Sequence, residues 1–355
     1  MKKRTNIFKC FTFLIICFLA VNFNVLPIKA NAKACSYAVI EKVSGRVLYE
    51  SNSSQKAYMA STTKILTAIT VIENFDIKKE ITVPIGGVGV EGSSVYLKEG
   101  EVYTVEDLLY GLMLRSGNDC AQTLALALCQ NVESFANLMN QTATKCGALN
   151  SNFVNAHGLH NDKHYTTAYD LALITRYAMQ NPTFSKIVAC KSYTATEQTT
   201  QTKKYWINKN KMLNSFEGAS GVKTGFTKKA GRCLVSSAKR DGMELICVLL
   251  GEQNHYAVSK DLLEKGFSEY KLVKLVDSKK FDYKIPNEDR SKYYNLKIDN
   301  DFYYPISSKD KIKAEINLPN YIKNNIFDGV NVGEIKIYAS KQLIFSQNIY
   351  TLINN

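Results

Sequence analysis

The chain has 355 residues, 45% hydrophobic and 22% charged, a globular composition with room for one large domain and a smaller one. Its formal charge of +13 points toward anionic partners. Nucleic acid is excluded as the expected partner, because the Lys and Arg residues are scattered and no nucleic-acid-binding motif is apparent.

Lys2, Lys3 and Arg4 precede an apolar run from about Phe11 to Leu26, and Ala30-Asn31-Ala32 offers a small-x-small cleavage pattern. Residues 1–32 therefore read as a secretory signal peptide; Asn22 and Asn24 interrupt the run and leave it short for a membrane span. The expected location is extracellular, in the cell wall or at the outer face of the cytoplasmic membrane. Removing this segment takes away Lys2, Lys3, Arg4, Lys9 and Lys29 and no acidic residue, which lowers the charge from +13 to +8. A chain still this basic is expected to associate with anionic wall polymers or lipid headgroups. Cys10 and Cys17 leave with the signal. Cys35, Cys120, Cys129, Cys146, Cys190, Cys233 and Cys247 are odd in number, contain no Cys-x-x-Cys pair, and read as free thiols.

Residues 36–50 read as a β-hairpin around Lys42-Val43-Ser44-Gly45. Next comes Tyr58-Met-Ala-Ser61-Thr-Thr-Lys64-Ile-Leu-Thr-Ala68, where apolar side chains recur at helical spacing (Ile65, Leu66, Ile69, Ile72). Positions three apart share a helix face, so Ser61 Oγ and Lys64 Nζ are expected to meet. A lysine kept neutral by burial and by other cations can take the proton of a serine nucleophile. The spacing is weak evidence alone, since Ser-x-x-Lys also begins at Ser53, Ser220, Ser236, Ser268 and Ser308.

Residues 81–103 are glycine-rich and β-like. Thr104 with Glu106 and Asp107 signals the start of a helix through Leu108, Leu109, Leu112 and Met113. Arg115 to Asp119 breaks it, which places Ser116 and Asn118 in a short loop before a second helix from Cys120 to about Cys129. Helices are expected over 132–146 and 171–179. His157, His160 and His164 lie in an irregular segment without a carboxylate at ligand spacing, so no metal is expected. From Ser220 the pattern is β: Val222 to Phe226, Cys233 to Ala238, and Leu245 to Leu250, followed by a helix through Leu262 and Leu263. Beyond about Lys274, alternating stretches at 293–298, 312–318, 334–338 and 343–349 predict a small all-β domain, read as a sandwich.

Three elements line up: Ser61-Thr-Thr-Lys64, Ser116-Gly-Asn118 and Lys223-Thr-Gly225. With Thr104-Val-Glu-Asp-Leu-Leu-Tyr-Gly-Leu-Met-Leu, His157-Gly-Leu and Lys-Thr-Gly-Phe-Thr, they resemble the low-molecular-weight penicillin-binding proteins, the D-alanyl-D-alanine carboxypeptidases of peptidase family S11. The resemblance covers about Cys35 to Tyr270, and more loosely the β-rich part beyond. It implies an α/β catalytic domain of the β-lactamase/DD-peptidase type, an antiparallel sheet flanked by helices, plus a small C-terminal β-sandwich. The expected division is 1–32 signal, 35–272 catalytic domain and 275–355 β-rich domain.

The same resemblance implies a serine-type D-Ala-D-Ala carboxypeptidase that removes the terminal D-alanine from peptidoglycan stem pentapeptides and binds β-lactams covalently, without a cofactor. Ser61 would be the nucleophile, Lys64 the general base and Ser116 a proton relay to the leaving amine. Asn118, Lys223, Thr224, Gly225 and Phe226 would bind substrate, with the backbone N–H groups of Ser61 and Phe226 as the oxyanion hole. The sequence departs from the family at Ala156 (usually proline), at Ser220 (commonly aspartate) and at His255, where an arginine often helps hold the substrate carboxylate; Lys209 is a cation that could compensate. A D,D-endopeptidase uses the same residues. A class A β-lactamase would carry a glutamate where Cys146 stands, and a non-catalytic penicillin sensor or wall-binding protein is the reading from a different class.

Overall fold

The computed structural model describes residues 35–129, 131–324 and 326–353; the signal-peptide expectation lies outside the described residues. The N-terminal hairpin pairs β1 (Ser36–Glu41) with β2 (Val47–Ser51), as its turn predicts. It is completed by three strands from much later in the chain: β7 (Ala219–Thr227), β8 (Gly231–Arg240) and β9 (Met243–Leu250). The order is β2-β1-β9-β8-β7, antiparallel throughout, with β7 on an edge.

Both faces of this sheet are covered. The pleat sends Val235, Ile246 and Val248 into one apolar layer and Leu234, Leu245 and Leu249 into the other. The second layer packs on α8 (His255–Glu269) through Leu262, Leu263 and Phe267. The first packs on a helical group: α1 (Lys64–Asn74), α2 (Val105–Leu114), α3 (Asn118–Leu128), α4 (Val132–Lys145), α5 (Ala168–Ala178) and α6 (Pro182–Ala189). Eight consecutive residues of α1, Lys64 to Val71, are buried, so this helix is surrounded on every side.

Local signals set several ends. Thr104 and Asp107 form a reciprocal capping box at α2, Thr104 Oγ1 accepting from Asp107 N at 3.0 Å. Asn181 caps α6, whose first residue is Pro182, a helix that hydrophobic spacing did not single out. The region 81–103 is less regular than its composition predicts. Only β3 (Glu80–Thr82) and β4 (Val102–Thr104) pair, and the intervening loop turns through left-handed residues at Gly89, Gly92 and Tyr96. The hairpin of β5 (Ser192–Thr196) and β6 (Lys203–Ile207), and the short α7 (Met212–Ser215), complete this part.

The β-rich region holds β10 (Tyr270–Val276), β11 (Tyr283–Pro286), β12 (Tyr293–Lys297), β13 (Phe302–Ser307), β14 (Ile312–Asn317), β15 (Asn331–Ala339) and β16 (Gln342–Leu352). A five-stranded sheet, β11-β12-β16-β15-β14, and the β10–β13 pair share a core of Val276, Ile285, Leu296, Ile335, Ile337 and Ile349. Lys313 on the edge strand β14 suits a place where unpaired backbone must resist further pairing. Arg46 of the β1–β2 turn ties this region to the first, reaching both oxygens of Asp310 at 2.8 and 2.7 Å and the carbonyl of Pro305 at 2.6 Å. Among the described residues the seven cysteines are free, and no helix is long and apolar enough to cross a membrane.

Candidate active site

Ser61 stands in a 3-10 turn, Ala60–Thr63, and α1 begins only at Lys64. The two side chains meet as the spacing predicts, Lys64 Nζ lying 3.2 Å from Ser61 Oγ, but across the junction of two helix types rather than on one regular face. The turn is strained at Ala60, a non-glycine residue with φ +48°. Two glycines admit it. A Cβ on Gly158 would fall 2.0 Å from the Ala60 carbonyl oxygen, and one on Gly225 would fall 3.0 Å from Ser61 N. The Lys-Thr-Gly strand thus lies against the nucleophile's own amide.

Lys64 is fully buried and has no ion-pair partner among the described residues. Its Nζ instead lies 2.6 Å from Asn118 Oδ1 and 2.6 Å from the His157 carbonyl oxygen. Burial, then the nearby charges of Lys223 and Lys209, hold its pKa well below the ordinary lysine value. A neutral amine has two N–H bonds and one lone pair. Both short contacts are to oxygens that only accept, so they take the two N–H bonds and leave the lone pair for Ser61 Oγ.

Asn118 is not in a loop, as its neighbours suggested, but is the first residue of α3, with Gly117 as N-cap. Its Nδ2 donates to Glu91 O at 2.5 Å and its backbone N–H to Ser93 O at 2.7 Å, so one amide N–H stays available for a ligand. Asp119 holds the strand-like loop that supplies those carbonyls: its carboxylate accepts from Ser94 Oγ, Val95 N and Leu97 N at 2.5, 3.1 and 3.0 Å. The residue pattern gave no sign of this, because the loop lies more than twenty positions away. Ser116 sits just before, buried and left-handed at φ +62°. Among the described residues its hydroxyl makes no hydrogen bond to Ser61 or Lys64.

On the opposite wall, Lys223 is buried and donates to Thr224 O at 2.9 Å; burial and the neighbouring Lys209 bring its pKa down to about 7. Lys209 itself is exposed, reaching Ser93 Oγ at 3.1 Å. Thr224 is half-buried, and Phe226 is largely exposed beside Arg232, whose guanidinium lies 5.6 Å from the ring centre. The departures from the family pattern find physical partners. Ser220 donates to Glu244 at 2.9 Å, and Glu244 pairs with Lys42 at 2.8 Å, so the carboxylate at this place comes from β9. His255 opens α8, and its pKa is lowered, chiefly by burial. A permanent cation on this side of β7 is Arg232, paired with Phe226 across the ladder, a residue that spacing from the three motifs did not indicate.

The three histidines do not converge: His160 lies 3.3 Å from Asp162, and His164 contacts Thr63. Among the described residues no cluster of His, Cys, Asp or Glu is arranged to hold a metal ion. Asp170 accepts from Asn150 N and Ser151 Oγ at 2.6 and 2.8 Å, a loop-fastening role.

Two family profiles match this chain: D-alanyl-D-alanine carboxypeptidase over residues 24–254, and the C-terminal domain of penicillin-binding protein 5 over residues 270–354. The chain is 30% identical over 330 residues to the D-alanyl-D-alanine carboxypeptidase DacF of Bacillus subtilis, covering 88% of this chain and 83% of that one. It is 35% identical over 243 residues to a D-alanyl-D-alanine carboxypeptidase of Streptomyces sp., covering 63% and 84%. Among solved structures, penicillin binding protein 5 of Haemophilus influenzae superposes with a TM-score of 0.75 at 26% identity, covering 90% and 96% of the two chains.

Proposed function

This chain belongs to the D-alanyl-D-alanine carboxypeptidase family, and from that premise we propose that Ser61 and Lys64 carry its reaction. The protein is a D-Ala-D-Ala carboxypeptidase of the serine class, and covalent reaction with β-lactams is general to the family. The observation that carries the residue assignment is the environment of Lys64: a buried amine with no ion-pair partner among the described residues, its Nζ 3.2 Å from Ser61 Oγ.

In this reading Ser61 Oγ attacks the carbonyl of the penultimate D-Ala while its proton passes to Lys64 Nζ. The carbonyl π pair moves onto oxygen and is held by the N–H groups of Ser61 and Phe226, each donor contributing about 3 kcal/mol in the transition state. The C–N bond then breaks, the proton travels from Nζ through Ser116 to the departing amine, and free D-alanine leaves. Water attacks the ester carbonyl while Lys64 takes its proton; the C–Oγ bond breaks, Lys64 returns that proton to Ser61 Oγ, and the shortened stem peptide leaves as its carboxylic acid. Asn118 donates its spare amide N–H to the substrate backbone. Lys223, Thr224 and Arg232 receive the terminal carboxylate.

The site lacks the parts of a fast β-lactamase. No glutamate is assigned to a deacylating water: Cys146, which stands at that place in the sequence, lies near Glu73 at the end of α1 away from Ser61, and burial with Glu73 nearby pushes its thiol up to about 12. A β-lactam ester on Ser61 is therefore expected to persist. We further propose export through residues 1–32, a catalytic region over 35–272 with a β-rich region over 275–355, and association with an anionic wall or membrane surface.

The direct test is D-alanine release from a stem pentapeptide by wild type and Ser61→Ala. Release by the wild type alone, with β-lactam label recovered on Ser61, is the expected result. Undiminished release by the variant would mean that another nucleophile acts.

A further inference from the structure

A trans peptide unit is rigid, so the Ala60 carbonyl and the Ser61 N–H point in opposite directions from one plane. Whatever fixes the Ala60 oxygen therefore aims the Ser61 N–H. The described residues show no backbone acceptor for that N–H, and the missing Cβ of Gly225 keeps the space before it open.

The Ala60 oxygen is held by a buried chain. Thr63 Oγ1 donates to it at 2.8 Å, and His164 Nε2 lies 2.8 Å from the same hydroxyl. The tautomer of His164 follows from its other nitrogen. Val154 N–H can only donate, and it reaches His164 Nδ1 at 3.1 Å, so the ring proton is on Nε2. The ring is 2% exposed, packs edge-on against Phe153, and burial brings its pKa down to about 3, so it stays neutral.

We propose that His164 and Thr63 are positioning residues for catalysis, forming a relay His164 Nε2–H to Thr63 Oγ1–H to Ala60 C=O that aims and polarises the Ser61 N–H toward the developing oxyanion. Each link strengthens the next, since a hydroxyl that accepts is a better donor and a carbonyl that accepts leaves its peptide N–H more acidic. The relay also supports the left-handed Ala60, the strained residue immediately before the nucleophile.

This inference rests on Ser61 as nucleophile. If β-lactam label does not appear on Ser61 in the wild-type protein, that reading fails; if label appears there and the variants below behave as wild type, only the relay fails. Thr63→Val removes the hydroxyl at nearly constant shape. It should slow acylation per labelled site and the kcat for D-alanine release by about tenfold, a weakened rather than deleted donor, with KM unchanged. Thr63→Ser should restore the rate, and His164→Gln, which offers an N–H near the Nε2 position, should recover more activity than His164→Phe.

The Thr63→Val/His164→Phe double variant should be no slower than the worse single one, because both break one chain. The acyl carbonyl of the β-lactam adduct should shift to higher infrared wavenumber in Thr63→Val, a readout that a purely structural role would not move. Wild-type rates per labelled site in Thr63→Val, an unshifted band, or multiplying losses in the double variant would each overturn the relay. If His164→Phe does not fold, the Thr63→Val and Thr63→Ser pair with the infrared band still decides.

Discussion

Two places in this molecule bury cations, and they do so in opposite ways. Arg46 is paired: Asp310 meets it with both oxygens, Pro305 takes a further N–H, and the rings of Tyr270 and Tyr304 flank it at 5.0 Å each. Lys64 and Lys223 are buried more completely, yet among the described residues no carboxylate forms an ion pair with either. A buried cation met by a carboxylate supports structure; a buried charge left uncompensated destabilises the fold and has another use. The difference separates the fastening of the β-rich region from the chemistry of the cleft.

The largest effect should come from Lys64→Met, which removes the base and the uncompensated amine together. D-alanine release and β-lactam acylation should fall by about 10³-fold or more. Thermal stability should hold or rise, and the sign follows from linkage. With the folded pKa lowered, the unfolded chain binds more protons below the ordinary lysine value of 10.5, so Lys64 costs stability at neutral pH. A clear drop in melting temperature would show that the amine is structural and sink the contrast.

Arg46→Met should do the reverse. Leaving Asp310 unpaired should cost about 3 kcal/mol, seen in denaturant unfolding, while the rate on soluble pentapeptide stays near wild type. The arginine holds the Asp310 carboxyl below its ordinary value of 3.8. The stabilisation is therefore present above that value and lost as pH falls through the lower, folded one, and the variant should lose less stability on acidification than the wild type. A variant that unfolds like wild type but turns over slowly would mean that the clamp serves the cleft.

The smallest effect is in pH dependence. Lys223 is cationic below about 7 and neutral above it, so kcat/KM for a substrate with a free carboxylate should decline above that pH in the free enzyme, mostly through KM. Lys223→Arg should remove the decline, because arginine keeps its charge. An identical decline in the variant would assign it to another group.

How far the site was legible depended on the range of the forces. Ser61 and Lys64, the helix start at Thr104, and the strands around Lys223 follow from spacing and alternation, which are properties of neighbours in the chain. Asn118 was placed two residues before the next helix instead of at its first position, since polar residues after a helix break look like loop whether or not the next helix has begun. His164 was set aside with the other two histidines as lacking a metal-ligand pattern and given no role, because nothing local links it to Thr63, which is 101 positions away.

By itself the sequence determined which chemical groups are present, their order, and the period of the elements that carry them, because side-chain type and backbone periodicity are local. Tertiary structure alone decided that the Lys64 amine is pushed toward its neutral form. Its partners stand 54 and 93 positions away, and the burial that lowers its pKa comes from the helices packed around α1. The same holds for Arg46, whose carboxylate lies 264 positions along the chain. An amine and a guanidinium look alike as positive charges in a sequence; desolvation and the presence or absence of a counter-charge, both set by packing, make one a base and the other a fastener.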